Sequence, residues 1–147
     1  MKFYNKILFV FISIFLFMSC NTDIMEVNCS SLNKEGIQYY LNNNLYTGNC
    51  LSYQDGELAE ARRIKKGIHK STIGYHESGE VKFTGGMKND SLSGVYKQFY
   101  KSGELAIRGR FKKGFYEGKW RFFREDGVLQ RITIFKNGKI TSEIDKN

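Results

Sequence analysis

One spacing dominates this chain. Gly56, Gly79, Gly103 and Gly127, each preceded by Asp or Ser and followed by an acid or Val, recur at intervals of 23, 24 and 24 residues. Eleven positions after each stands a second turn residue, Gly67, Asp90, Gly114 or Gly138, and Asn44 holds the same place in a shortened leading unit. Repetition at this period marks an array of supersecondary units, none of which can bury its apolar face alone. Gly, Asn and Asp are the residues that tolerate positive φ, so one conformational requirement accounts for all five second-turn positions.

The flanking segments say what the units are. Asn42-Asn43-Asn44, Lys65-Lys66-Gly67, Lys88-Asn89-Asp90, Lys112-Lys113-Gly114 and Lys136-Asn137-Gly138 each join two β-like stretches, as hairpin loops do. Leu58, Val81, Leu105 and Leu129 lie two residues after the anchor glycines, and Ile64, Met87, Phe111 and Phe135 lie eight after. An even separation predicts that both sets share one face of a strand. Cys50, Tyr96 and Trp120 fall at matching places after successive turns. The reading is an all-β fold: an elongated, open antiparallel meander of stacked β-hairpin repeats of 23–24 residues, after an N-terminal signal helix. The absence of Pro suits strand ladders, and a short, charged last arm suits an exposed edge.

Residues 1–20 have a different grammar. Lys2 and Lys6 precede the apolar run Ile7–Met18, interrupted only by Ser13. As a helix it would span about 18 Å, short of the roughly 30 Å of bilayer hydrocarbon but right for a signal-peptide core. Phe17-Met18-Ser19-Cys20 resembles the lipobox of bacterial lipoproteins, which implies acylation of Cys20 and a chain anchored to a membrane. The expected organisation is a lipoprotein signal peptide over 1–19, a lipid-anchored tether over 20–35 and a repeat domain over 36–147. The expected location is the cell envelope outside the cytoplasm, with Asn21 after the Cys favouring the outer membrane in a two-membrane cell. In that compartment Cys29 and Cys50 have two options: a disulfide, or independent thiols with Cys50 packed inside.

The unit running from Gly103 to Phe123, with Leu105, Phe111, Gly114, Tyr116, Gly118, Trp120 and Phe123, resembles the bacterial variant of MORN repeats, whose members are often described as YwqK-family antitoxins. The resemblance covers residues 36–141 and implies a hairpin array that binds or scaffolds rather than catalyses.

Chemistry-bearing residues point the same way. His69 and His76 fill repeat positions held elsewhere by Leu92, Tyr116 and Ile140, and by Tyr53, Tyr100 and Arg124. Glu57, Glu80 and Glu104 directly follow anchor glycines as turn residues, not as a converging acid–base pair. With three Cys and two His there is no metal-ligand spacing, and no nucleophile elbow or phosphate-cradling loop occurs. The expectation is a protein without catalytic residues, metal or cofactor.

Binding features are richer. The formal charge is +8, and Lys65, Lys66, Lys88, Lys112, Lys113 and Lys136 would line up at the hairpin tips. Such a row suits anionic lipid or glycan, or simply keeps the loops solvated. Tyr96, Tyr100, Tyr116, Trp120 and Phe122 make a candidate aromatic binding face for a protein partner. Phe122 and Phe123 are adjacent, so in a strand they point to opposite faces. The function read from these features is a membrane-tethered protein-interaction module. Its alternatives are an immunity protein directed at one toxin and an envelope module for anionic lipid or glycan. Nucleic acid is not an expected partner.

Overall fold

The computed structural model describes residues 25–146, so the expected signal helix and Cys20 lie outside the described residues. A short N-terminal group comprises β1 (Glu26–Asn28), β2 (Asn33–Glu35), β3 (Gln38–Leu41) and β4 (Asn44–Leu45). The array proper is β5 (Gly48–Gln54), β6 (Glu57–Lys65), β7 (Ile68–Tyr75), β8 (Val81–Lys88), β9 (Ser91–Phe99), β10 (Leu105–Lys112), β11 (Phe115–Phe123), β12 (Leu129–Lys136) and β13 (Lys139–Asp145). From β5 to β13 each strand pairs with the next, an antiparallel meander that does not close, and β1 adds to the β5 edge in parallel.

Two kinds of turn alternate along it. The tight turns contain two residues in succession at positive φ: Lys66 and Gly67, Asn89 and Asp90, Lys113 and Gly114, Asn137 and Gly138. Lys65 pairs with Ile68 and Lys112 with Phe115, so these are two-residue hairpin loops, and two positive φ values define the type I′ turn whose twist matches the strands. The leading hairpin departs from the expected alignment. Its positive φ values fall at Asn42 and Asn43, and Asn44 is already in β4, because a two-residue I′ loop leaves no room for a third turn residue.

Tight turns are also tied to one another. The N–H of Gly67 donates to the Tyr46 carbonyl at 2.7 Å, that of Gly114 to Leu92 at 2.9 Å and that of Gly138 to Tyr116 at 3.0 Å. At the opposite end the wider turns repeat as well: His76, Tyr100 and Arg124 each donate an N–H four residues forward, to Glu80, Glu104 and Val128.

A bulge recurs three residues after every anchor glycine. Ser52 pairs with Glu60 but Tyr53 with Leu58, and the same slip separates the pairs Gly74–Phe83 and Tyr75–Val81, and Phe122–Arg131 and Phe123–Leu129. In the third repeat it separates Gln98–Ile107 from Phe99–Leu105. The extra residue reverses the face. Leu58, Val81, Leu105 and Leu129 therefore do not share a face with Ile64, Met87, Phe111 and Phe135, as even spacing predicts. Each lies instead opposite an aromatic residue, Tyr53, Tyr75, Phe99 or Phe123.

The N-terminal group folds onto one face, here termed the inner face. Tyr39, Tyr46, Cys50 and Ile64 form a buried cluster there, with Val27, Cys29, Leu32 and Leu41 packed around it. A disulfide joins Cys29 to Cys50, whose side chain is fully buried, and Lys34 reaches Asp90 in the β8–β9 turn at 2.8 Å. The stretch expected as a tether is thus part of the folded unit from Glu26 onward. β1 occupies the sheet edge, β2 pairs with β3, and Val27, Cys29 and Leu32 supply the segment's apolar contacts between polar residues.

Candidate interaction surface

One row of residues crosses the whole inner face. Cys50, Arg62, Thr72, Gly85, Tyr96 and Gly109 are successive cross-strand partners, and on the far side of Gly109 come Trp120, Thr133 and Glu143. In its second half bulky and small residues alternate. The reason is steric, since a Cβ at Gly109 would collide with the Trp120 ring, which lies over the bare backbone. A Cβ at Gly74 would collide with Phe83 in the same way. Glycine is thus required here by the approach of a neighbouring ring.

Around Trp120 the rings form one connected cluster. Its centroid lies 4.4 Å from Tyr116, 5.0 Å from Phe111, 5.8 Å from Tyr96 and 6.1 Å from Phe135, mostly edge to face. Tyr116 also stacks on Phe135 at 5.0 Å. Such pairs contribute about 0.5–1.5 kcal/mol each beyond area burial. Burial pushes the Tyr96 hydroxyl above its ordinary pKa, with a smaller push from Tyr116. These rings, with Leu92, Gln98, Ile107 and Phe122, line a groove of about 350 Å³. The Arg131 guanidinium lies over the Phe122 ring at 4.6 Å.

The five expected binding-face aromatics therefore divide. Tyr96, Tyr116, Trp120 and Phe122 line one groove. Trp120, only 2% exposed, is the packed floor of that groove and not an open contact, because four neighbouring rings surround it. Tyr116 is the open ring, 43% exposed. Tyr100 is not among the lining residues; its hydroxyl donates to the Phe123 carbonyl at 2.8 Å and ties adjacent repeats together. Phe111 and Phe135, read from the sequence only as stripe residues, belong to the groove.

The six expected tip lysines, Lys65, Lys66, Lys88, Lys112, Lys113 and Lys136, are exposed at the tight-turn end. Both His rings make hydrogen bonds to backbone carbonyls. His76 Nε2 donates to the Phe99 carbonyl at 3.2 Å. His69 is buried beside the edge of Tyr39, and its Nε2 donates to the Ser71 carbonyl at 3.0 Å. It lines a second hollow of about 370 Å³ with Lys34, Tyr39, Glu60, Arg62 and Thr72. Burial pushes the His69 imidazole down, and Arg62 adds to the effect. Burial also pushes the Glu60 carboxyl up, but hydrogen bonds from Arg62 and Thr72, both at 2.7 Å, outweigh it and hold its pKa below the ordinary value. The charges in this hollow are paired within it, Glu60 with Arg62 and Lys34 with Asp90.

Geometry thus defines a class: an open β-hairpin repeat array with an aromatic-lined groove. Within it, the MORN repeat variant is detected at residues 92–113 and again at 116–137. Each matched unit starts two residues past a tight turn and holds two strands, β9 with β10 and β11 with β12, so the groove is built almost wholly from these two repeats. No curated protein matches this chain.

Proposed function

We propose that this chain is a non-catalytic, membrane-tethered interaction module whose aromatic groove receives apolar side chains of a protein partner. MORN repeats occur in protein-interaction and membrane-associated modules, which supports the class. The observation that carries the reading is an asymmetry of cover. Over β5–β7 the chain's own N-terminal group packs on the inner face and reaches the β8–β9 turn through Lys34, whereas over β10–β12 no described element covers it. A groove with a rigid aromatic floor, an open Tyr116 and a cation at its rim is the composition favoured at protein contacts. The tether rests on the basic start, the apolar run and the Cys20 motif.

Site-specific photocrosslinking in cells tests the groove. A benzoylphenylalanine in place of Tyr116 should give one discrete adduct, lost when Phe122→Ser is added, while the same group in place of Lys82 should not give it. Identical adducts from both positions, or none from 116, would overturn the reading. Cys20→Ala should release the chain from the membrane fraction, and retention there would refute acyl anchoring.

A further inference from the structure

The face opposite the groove carries an arrangement that packing does not explain. Lys97, Arg108 and Arg121 stand directly opposite one another on β9, β10 and β11, with Lys97 paired to Arg108 and Arg108 to Arg121. Thr84 and Ile132 end the row on either side. None of the three makes an ion pair among the described residues. Directly opposed like charges destabilise a sheet, so this row is held against a cost. Arg110, Lys112 and Lys119 extend the same face, and across β9–β11 its acidic member is Glu117, opposite Arg110, whose carboxylate already accepts the Asn137 N–H.

A second row runs parallel to the first. Simple alternation puts Phe99 and Phe123 on this outer face, two residues along the strands from Lys97 and Arg121, and the recurrent bulge turns Leu105 and Leu129 onto it opposite them. Cations and apolar side chains thus form two neighbouring lines across the strands; the cations repeat at the strand spacing of ~4.8 Å, while the rings of Phe99 and Phe123 stand on alternate strands, β9 and β11.

We propose that this outer face binds a linear carboxylated polysaccharide laid across the strands. The pyranose units of such a chain repeat at a length close to the strand spacing. Each unit offers a carboxylate, which accepts two hydrogen bonds from an Arg fork, and alternate units offer an apolar ring face to Phe99 and Phe123. A polyphosphate would satisfy the cations alone and leave the aromatic line without a role. This site is independent of the inner groove and does not rest on it.

Polygalacturonate is the probe, titrated by calorimetry against the full chain in non-ionic detergent at low and high salt. Binding should weaken with salt. Arg108→Gln with Arg121→Gln should weaken it at least tenfold, Phe123→Ser severalfold, and Lys88→Gln with Lys136→Gln at the tips much less. Arg108→Gln alone should raise the melting temperature, since it removes two opposed charges; a fall would mean the row is structural and would overturn the proposal. No binding of polygalacturonate at low salt would also overturn it. So would polyphosphate binding with equal affinity, or capture only by anionic vesicles, because either would leave the aromatic row unused or assign the face to a membrane.

Discussion

His76 and Tyr100 sit at the same position of successive repeats and make the same hydrogen bond: each side chain donates to the backbone carbonyl 23 residues ahead, at Phe99 and Phe123. A residue that would attract a search for catalysis is thereby matched to a phenol with a purely architectural task. His76→Tyr should fold with unchanged or higher stability. His76→Phe and Tyr100→Phe should each lose about 0.5–1.5 kcal/mol, the net worth of one such bond, read from urea unfolding.

Gly109 is occupied from above by Trp120. Gly109→Ala should destabilise by about 1–3 kcal/mol as the indole is pushed off its seat. Adding Trp120→Leu should recover part of that loss, so a double-mutant cycle should show coupling where two independent sites would simply add.

The disulfide links Cys29 to Cys50 across a separation of 21 residues. Its removal by Cys29→Ser should cost roughly 3 kcal/mol on the chain-entropy account. Limited proteolysis should then cut first near the short 3-10 turn Cys29–Ser31 and β1, while β8–β13 keep their protection.

Acid should weaken the fold in two stages. His69 has a lowered pKa, so the unfolded chain binds the proton more readily below the ordinary imidazole value of 6.5, and stability should start to fall as pH drops through that value. Glu60 is also lowered, so its contribution is present above the ordinary carboxyl value of 4.5 and is lost as pH falls further. Melting temperatures across this range should show both steps, and His69→Leu should remove the first alone.

The meander was legible because its punctuation is chemical. Positive φ favours Gly, Asn and Asp, and Gly67, Asp90, Gly114 and Gly138 at the second loop position announced every tight turn of the array, although Lys66 and Lys113 also take positive φ at the first. The bulges carry no such mark. Ala59, Lys82, Ala106 and Gln130 share a repeat position but no side-chain property, and alternation read straight through them puts Leu105 on the wrong face. The groove was half readable. Tyr96, Tyr116, Trp120 and Phe122 stood out as aromatics, but whether a ring is floor or rim depends on what lies across the strand, and for Trp120 that is a glycine. The one available signal was Gly85 and Gly109, six residues after successive anchors. The segment from Glu26 to Glu35 showed no pattern because its place is set by pairing and by Lys34 reaching Asp90, contacts remote in sequence.

The two ends of the array differ in how they would answer a pull. At one end β1 and the disulfide latch the first strands, and at the other β13 is held by a single neighbour. Tension applied through the C-terminus meets the hydrogen bonds of one ladder at a time, like a zipper, and should peel β13 and then β12 away at low force. The same tension reaching β5 meets a covalent stop. Loaded at its C-terminus, the chain would give way from that end inward and keep its disulfide-latched N-terminal part intact.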